Sequence, residues 1–321
     1  MNVQRPTEVS LLGLGRMGEP IARRLLAALG SLTVWNRSAG KAAQLRRTGA
    51  RVVARPADAA TAITLTVLTD LQDVEQLLDG EAGLLAGWAA SGVQRPVLVV
   101  HGTVSPVGLA GLASRLDALG VDVVDAPLSG GVAGAQSGAL SVMVGGAPEA
   151  VARAWPVLSL VGTTVRHLGP AGAGQTAKAC NQVVVAATLT AVSESLILAD
   201  AAGLDRAVLL DLLGGGLADS ELLRQKRDRW LTGDFTGGGS SSNQLKDLHF
   251  VMATAAAHGL TLPVAATLRD VFTQVVDDGD GALDHSGVEL SLARHARNPG
   301  THRGAVEGAP SRARSGGGAP G

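Results

Sequence analysis

The chain has 321 residues, a formal net charge of −1 and one cysteine, Cys180. This length suggests about two domains. The near-neutral charge offers no long-range attraction to nucleic acid or to an anionic membrane. A single cysteine cannot form an intrachain disulfide. Aromatic residues are 2% of the chain, so we expect a core packed mainly from Ala, Leu and Val.

The amino-terminal region shows neither a signal peptide nor a membrane-spanning pattern. Residues Met1–Glu8 are polar, and glycines soon interrupt the apolar stretch that follows. The most apolar run, Val183–Leu198, is interrupted by polar residues and falls short of the roughly 18 clean residues that a spanning helix needs. We expect a cytoplasmic protein with no membrane or nucleic-acid partner, in which this run is a buried helix.

The first half of the chain alternates apolar runs of strand length with helix-like segments. The predicted strands are Val9–Leu14, Leu32–Trp35, Ile63–Leu68, Val97–Val100, Val121–Asp125, Ala139–Val144 and Thr164–Leu168. The predicted helices are Pro20–Leu29, Ala39–Arg47, Asp73–Leu78, Val107–Leu119 and Pro148–Leu158. Continuous apolarity is typical of strands covered on both faces, so the alternation predicts an α/β Rossmann-type domain with a doubly wound parallel sheet.

The second half of the chain is helical in pattern, and the change occurs near Gly169–Gly174. The predicted helical segments are Gln175–Gly203, Leu204–Leu231, Asn243–Gly259 and Pro263–Asp277. The sequence therefore predicts a Rossmann domain at 1–168 followed by an all-α domain at 169–296. Residues 297–321 are rich in Gly, Pro, Ser and Arg, which predicts a disordered tail.

A glycine motif follows the first predicted strand and opens the first predicted helix. It consists of Gly13, Leu14, Gly15, Arg16, Met17 and Gly18. In a G-x-G-x-x-G motif the first glycine permits a tight turn, the second lets the backbone approach a pyrophosphate, and the third allows close packing of helix on sheet. Since the motif lies between a strand and a helix, we interpret it as a dinucleotide-binding turn and not as a plain tight turn.

The end of the second predicted strand indicates which nicotinamide cofactor is used. It reads Asn36-Arg37-Ser38, without the acidic residue that usually binds the ribose 2′-hydroxyl of NAD. Arg37 can form charge-assisted hydrogen bonds to a 2′-phosphate, with neutral ones from Asn36 and Ser38. We therefore predict a preference for NADP(H), with NAD(H) possible; the alternative is that Arg37 is an ordinary solvated residue.

Three more segments complete a pattern that extends from about residue 9 to residue 294. The second segment is Asp125-Ala126-Pro127-Leu128-Ser129-Gly130-Gly131, and the third is Gly172-Ala173-Gly174-Gln175-Thr176-Ala177-Lys178 with Asn181-Gln182. The fourth is Lys246-Asp247-Leu248, with Leu283-Asp284-His285-Ser286 downstream. Together with the glycine motif, these segments resemble the β-hydroxyacid dehydrogenase family of 3-hydroxyisobutyrate dehydrogenases and tartronate semialdehyde reductases.

The resemblance implies hydride transfer between the nicotinamide and a small β-hydroxy acid or its semialdehyde, with Lys178 as the catalytic acid/base. The sequence supports this role, because a lysine in the first turn of an otherwise apolar helix is poorly solvated and has a lowered pKa. The resemblance also implies that the loop Ser129-Gly130-Gly131 holds the substrate carboxylate, with Asn181 nearby. Asn181 and Gln182 follow Lys178 by three and four positions, so they share its helix face and are predicted to contact the substrate. The further predicted cofactor contacts are Leu68, Thr69, Asp73, Thr103 and Lys246.

Two departures from the family pattern bear on the substrate. The segment Gly237–Ser242 replaces a Gly-Phe pair common in the family, which predicts a looser pocket wall, and His101-Gly102 replaces a pair of small residues. The substrate is therefore left open among small carboxylates. We expect no metal site, since the histidines lack ligand spacing, and interpret His285 as a residue at a helix boundary.

The alternatives are an imine reductase of the same fold, or another NADPH-dependent reductase, and a non-catalytic NADP-binding module. Relatives of both named kinds generally lack a lysine at the position of Lys178, which argues against them. The long apolar helix also predicts a homodimer or homotetramer.

Overall fold

The computed structural model describes residues 8–296, so the predicted tail lies outside the described residues. These residues form one nine-stranded sheet in the order β3-β2-β1-β4-β5-β6-β8-β7, with β9 paired to β8. The strands are β1 (Val9–Leu12), β2 (Thr33–Trp35), β3 (Arg51–Val52), β4 (Ile63–Thr66), β5 (Val97–Val100), β6 (Asp122–Asp125), β7 (Leu128–Ser129), β8 (Leu140–Gly145) and β9 (Gly162–Gly169). The first six strands are parallel and have the order 3-2-1-4-5-6 of a Rossmann fold.

Helices cover both faces of this sheet. They are α1 (Gly18–Leu29), α2 (Ala39–Arg47), α3 (Leu71–Glu75), α4 (Leu84–Ser91), α5 (Pro106–Asp117), α6 (Gly131–Ser137) and α7 (Pro148–Val161). One core packs α1 and α7 against one face through residues such as Leu25 and Val157, and the other packs α4 and α5 through Trp88 and Leu112. Strands β1, β4 and β5 are buried along their whole length, as expected for a sheet covered on both sides.

The far edge of the sheet differs from the all-parallel prediction. Strand β8 runs antiparallel to β6 and β7, and only β9 returns parallel to β8. The short elements β3, β7, α4 and α6 were not predicted, because runs this brief carry too little periodicity. Strands β1 and β4 end two residues earlier than predicted, so their carboxyl ends lead directly into loops at the edge where α/β sheets bind ligands.

The second half is all-α, as predicted, and follows the sheet directly. Its helices are α8 (Ala173–Ala201), α9 (Arg206–Gly214), α10 (Glu221–Thr232), α11 (Ser241–Ala257), α12 (Pro263–Asp277) and α13 (Val288–Ala296), with a 3₁₀ turn at His285–Gly287. The prediction of one helical segment over Leu204–Leu231 was wrong in detail, since Gly215 ends α9 and Ser220 caps α10. The core around α8 contains Leu196, Trp230 and Phe272.

Helix α8 begins two residues before the predicted start, which places Lys178 in its second turn and not its first. It is the one described helix that is long and apolar enough to cross a membrane by length and composition. Core helices of globular proteins have the same property. Since α8 packs against α10, α11, α12 and α13, we interpret it as the central helix of the second domain.

Candidate active site

The glycine turn has the geometry that its three glycines predict. Gly13 has φ +99°, and a Cβ built on Gly18 would lie 1.8 Å from the Gly13 carbonyl oxygen, so neither position accepts a side chain. A Cβ on Gly15 would meet no atom within 4 Å. The turn is therefore closely packed at its first and third glycines and open at its second, where a diphosphate would approach.

The remaining residues of the turn are tied to their surroundings in different ways. The backbone N–H of Leu14 donates to Asn36 Oδ1 at 2.8 Å, while Met17 is half-buried against the sheet core. Arg16 is exposed and donates to the carbonyl oxygen of Gly238, in the loop before α11. Arg16 thus crosses from the glycine turn to the helical domain.

The three residues after β2 occupy the position predicted for the adenosine end of the cofactor. Asn36 is engaged at both ends of its amide, because Nδ2 also donates to the Ser38 carbonyl oxygen at 3.0 Å. This favours a role in holding the turn. The Arg37 side chain is 83% exposed, and Nη1 lies 3.9 Å from Asp73 Oδ1, so the guanidinium is available to a ligand.

Lys246 on α11 connects the helical domain to the carboxyl ends of β4 and β5. Nζ donates to the carbonyl oxygen of Thr69 at 3.0 Å and to that of Thr103 at 2.5 Å. Leu68, the neighbour of Thr69, packs beside the glycine turn, where its Cδ2 would lie 2.8 Å from a Cβ on Gly13. The predicted cofactor residues that follow β4 and β5 thus meet Lys246 of α11 at the carboxyl edge of the sheet.

Lys178 is buried on α8 at this same junction. The residue is 7% exposed, and Nζ donates to Asn181 Oδ1 at 3.4 Å. Among the described residues no carboxylate forms an ion pair with it. Burial lowers the pKa of Lys178 from 10.5 to about 8; the Asp247 carboxylate opposes this shift and the Lys246 ammonium adds to it. An amine with this pKa can both accept and donate a proton near neutral pH.

Gln182 is directed toward α11. Its Nε2 donates to Asp247 Oδ2 at 2.7 Å and to Gln244 Oε1 at 3.3 Å. Asp247 Oδ1 lies 3.2 Å from Lys246 Nζ, and burial raises the pKa of Asp247 against these charged and polar neighbours. This placement favours a role for Gln182 in fixing the Asp247 carboxylate, which contacts Lys246 and acts electrostatically on Lys178.

The predicted carboxylate loop follows the end of β7. Ser129 closes β7 opposite Ser141 of β8, and Gly130 and Gly131 follow it with φ values of +127° and +65°. Two consecutive positive φ angles require glycine, and they turn the backbone sharply beside the half-buried Ser129. Across the cleft, Gln225 Oε1 of α10 would lie 3.7 Å from a Cβ on Gly131.

Asp125 and Gln175 fix the start of α8. Both belong to the motifs described above, but the sequence alone assigned them no role. Asp125 is fully buried at the end of β6, where its carboxylate accepts from the N–H groups of Gly172 and Gln175 at 2.9 and 2.8 Å. The Gln175 side chain accepts from Val104 N and donates to the Gly102 carbonyl oxygen. Both residues therefore hold the first turn of α8, and with it Lys178, against the sheet. An acid at the end of an apolar strand was the available signal.

His101, the second departure from the family pattern, is a buried link between β5 and β6. Its Nδ1 lies 2.7 Å from the Ala126 carbonyl oxygen and so carries the hydrogen. Burial lowers the pKa of His101 to about 4. The imidazole is therefore neutral in the physiological range, which suits a packed position.

A second buried lysine, also missed from the sequence, lies on α10. Lys226 Nζ donates to both carboxylate oxygens of Asp284, at 2.9 and 2.7 Å. Asp284 also accepts from the N–H and hydroxyl of Ser286, at the start of the 3₁₀ turn that contains His285. His285 thus lies at an element boundary, as predicted. Within residues 8–296 there is no group of three His, Cys, Asp or Glu side chains that could hold a metal ion.

Comparison with known proteins agrees with this arrangement of two domains. The family model for the NAD binding domain of 6-phosphogluconate dehydrogenase matches residues 8–169. The model described as NAD-binding of NADP-dependent 3-hydroxyisobutyrate dehydrogenase matches residues 172–290.

Full-length relatives match over most of both chains. A 2-hydroxy-3-oxopropionate reductase from Escherichia coli is 34% identical over 288 residues, covering 89% of this chain and 97% of the relative. A 3-hydroxyisobutyrate dehydrogenase from Pseudomonas aeruginosa is 32% identical over 299 residues, covering 89% and 96%. The structure of 3-hydroxyisobutyrate dehydrogenase from Mycobacterium tuberculosis with L-serine has a TM-score of 0.77 at 27% identity, covering 90% of this chain and 99% of that one. The chain therefore belongs to the β-hydroxyacid dehydrogenase family of NAD(P)-dependent oxidoreductases.

Proposed function

We propose that this protein transfers a hydride between NADP(H) and a small β-hydroxy acid or its semialdehyde, with Lys178 as the proton donor and acceptor. The observation that carries the proposal is a buried amine with a pKa of about 8, without a carboxylate in contact, at the junction of the cofactor edge and the helical domain. Family membership supports the same reaction class.

The residues present fit a nicotinamide dinucleotide. The open space at Gly15 admits a diphosphate to the start of α1, where backbone N–H groups face it. The carbonyl groups of Thr69 and Thr103 lie in the loops that follow β4 and β5, toward which the nicotinamide end would extend. When bound, the cofactor accepts or supplies the hydride.

NADP(H) is the cofactor that the chain favours. Arg37 is 83% exposed after β2, and the sequence there contains no acid to repel a 2′-phosphate. Its contact with Asp73 is long and exposed, and such pairs are weak in water, so a phosphate can replace the carboxylate as partner. NAD(H) lacks this phosphate and gains nothing from Arg37.

Lys178 serves both directions of the reaction. In oxidation the neutral amine accepts the proton of the substrate hydroxyl while the hydride leaves the same carbon. In reduction the ammonium donates its proton to the carbonyl oxygen. Asn181 orients Nζ through its side-chain oxygen, and the Ser129-Gly130-Gly131 loop holds the substrate carboxylate.

A spectrophotometric panel tests this function. Small β-hydroxy acids and semialdehydes are assayed with NADPH or NADP⁺ and with NADH or NAD⁺, alongside a cyclic imine with NADPH. We expect turnover of at least one carboxylate substrate and higher kcat/KM with the phosphorylated cofactor. Reduction of the imine alone would assign an imine reductase, and NADPH binding without any turnover would assign a non-catalytic module.

We further propose a homo-oligomer, a prediction that apolar exposure supports. On the outer face of α8, Val184 is 63% and Leu198 is 71% exposed, and Leu212 on the adjoining α9 is 70% exposed. Several large apolar side chains exposed on two adjoining helices are typical of contacts between subunits. Light scattering of wild type and L198E measures the mass; a wild-type monomer would contradict the proposal.

A further inference from the structure

The side chain of Arg16 extends from the glycine turn to the helical domain. The residue is exposed, and Nη1 donates to the carbonyl oxygen of Gly238, in the loop Gly237–Gly239 that precedes α11. Within residues 8–296 this carbonyl is the hydrogen-bond partner described for the guanidinium, and no carboxylate forms an ion pair with it. Since a guanidinium has five N–H donors, most of them remain available to a ligand at the turn.

The helical domain holds the Gly238 carbonyl in place from the other side. Arg229 Nη1 donates to the carbonyl oxygen of Thr236 at 2.7 Å, just before the loop. Gly238 has φ +67°, and a Cβ on it would lie 1.8 Å from Asp284 Oδ2, whose carboxylate is itself bound by Lys226. The loop is therefore tied to the helical domain and presents the Gly238 carbonyl to the Rossmann domain.

Lys246 forms another link between the domains, and it has less capacity left for a ligand. Its Nζ lies 3.0 Å from the Thr69 carbonyl oxygen, 2.5 Å from that of Thr103 and 3.2 Å from Asp247 Oδ1. An ammonium has three donors, and three oxygens of the protein already surround this one. The link through Arg16 differs, because its guanidinium has one neutral partner and several donors to spare.

A diphosphate at the turn supplies the anion that Arg16 lacks. Gly15, the neighbour of Arg16, is the open position of the turn, since a Cβ there would meet no atom within 4 Å. The guanidinium fork pairs with phosphate oxygens through parallel N–H groups, and such charge-assisted bonds are about twice as strong as neutral ones. Because the Gly238 carbonyl occupies Nη1 alone, the fork can bind a phosphate and this carbonyl at the same time.

We propose that Arg16 binds the cofactor diphosphate and the Gly238 carbonyl together, and thereby couples cofactor binding to the ordering of the loop before α11. Ser240 follows this loop and caps α11, the helix that carries Lys246 and Asp247. Arg16 is thus a positioning residue, which holds the helical domain against the cofactor-bound turn and takes no part in proton or hydride transfer. The inference rests on the proposed function in one respect, namely that a nicotinamide dinucleotide binds at the glycine turn.

Cofactor binding tests the diphosphate end of this bridge. Quenching of tryptophan fluorescence gives Kd for NADPH and for NADH with wild type, R16A and R37A. We expect R16A to raise Kd for both cofactors about tenfold, since both contain the diphosphate, whereas R37A affects NADPH alone. The exposed Arg47 of α2 supplies the matched control, so R47A leaves both Kd values unchanged. Wild-type affinity of R16A for both cofactors would overturn the inference.

Amide hydrogen exchange tests the loop end of the bridge and needs no turnover. The backbone N–H of His285 donates to the Gly239 carbonyl oxygen at 2.7 Å, so its exchange reports opening of the loop. We expect saturating NADP⁺ to slow this exchange about fivefold or more in wild type and in R47A, and to leave it unchanged in R16A. Exchange along β5 (Val97–Val100) is the control for an intact fold and stays equal in all three proteins.

Two results of the exchange experiment would contradict the coupling by Arg16. One is equal protection of His285 by NADP⁺ in R16A and wild type, and the other is absence of protection in wild type. Wild type that binds neither NADPH nor NADH would contradict the proposed function and this inference together. Wild type that binds the cofactor and protects the loop, but oxidises no hydroxy acid, would contradict the proposed reaction and support the role of Arg16.

Discussion

Two buried lysines in the helical domain have opposite surroundings. Lys226 on α10 donates to both oxygens of the fully buried Asp284, whereas among residues 8–296 the hydrogen-bond partner of Lys178 on α8 is the neutral amide oxygen of Asn181. Burial lowers the pKa of both ammonium groups. A buried cation with its own carboxylate holds the structure together, and one without a carboxylate is available for proton transfer. We therefore expect a structural role for Lys226 and the proposed role in proton transfer for Lys178.

The largest expected effect is on turnover by K178M. Removal of a general acid/base lowers kcat about 10²–10⁴-fold. NADPH binding, followed by fluorescence, stays near the wild-type value because the glycine turn is untouched. The exposed lysine of α2 provides the control, since K41M leaves kcat unchanged. Near-normal turnover by K178M would remove Lys178 from the mechanism.

Replacing Lys178 or Lys226 by methionine should change the free energy of unfolding in opposite directions. A pKa lowered from 10.5 to about 8 corresponds to about 3 kcal/mol of destabilisation by the Lys178 ammonium. That cost is fully present below pH 8 and fades as the pH rises from 8 to 10.5, where the unfolded chain binds the extra proton. At pH 7, K178M therefore raises the free energy of unfolding by up to about 3 kcal/mol.

K226M has the opposite effect, because it leaves the Asp284 carboxylate buried without its cation. The expected loss at pH 7 is about 3 kcal/mol, and K226M/D284N recovers part of it. Urea denaturation measures each variant against wild type. Destabilisation of equal size by K178M and K226M would contradict the division between a catalytic and a structural lysine.

Arg37, at the protein surface, tests whether a cation with only a weak carboxylate partner is available to a ligand. Its carboxylate neighbour Asp73 is 3.9 Å away and both side chains are exposed, so the guanidinium is free to exchange it for phosphate. R37A raises KM for NADPH about tenfold, as expected for loss of a charge-assisted hydrogen bond, and leaves KM for NADH nearly unchanged. An equal rise for both cofactors would place Arg37 outside the 2′-phosphate site.

The pH dependence of oxidation sharpens the role of Lys178. Because the neutral amine accepts the proton, kcat/KM for oxidation rises about tenfold per pH unit below pH 8 and levels off above it. For reduction the ammonium is needed, so kcat/KM falls above pH 8. D247N removes the carboxylate that opposes the lowered pKa, and both profiles shift to lower pH. Unshifted profiles would show that Asp247 does not act on Lys178.

The sequence was sufficient for the fold class and for the family, because both depend on local patterns. Apolar runs of strand length predict the parallel strands, and the glycine spacing predicts the turn between β1 and α1. The antiparallel pairing of β8 with β6 and β7 was not predictable, because the sequence of a strand does not show in which direction its neighbours run.

Within the site, residue types were predictable and their partners were not. The direction of Gln182 toward Asp247, and of Asn36 toward the glycine turn, depends on contacts between residues far apart in the chain. The same limit hid Asp125, whose carboxylate partners lie about 50 positions downstream. His285 could be placed at an element boundary, but the neighbouring cations come from other helices.

The clamp that Asp125 and Gln175 form at the root of α8 also determines which parts of the enzyme are able to move. The end of β6 and the loop after β5 both hold that root, so the first turn of α8 is fixed to the sheet. The loop at Gly237–Gly239 has a lighter attachment: among the hydrogen bonds described for residues 8–296, Arg16 alone joins it to the glycine turn. The Lys178 amine is thus held against the sheet that would carry the cofactor, so we expect its position relative to the cofactor to vary less than that of the Gly237–Gly239 loop.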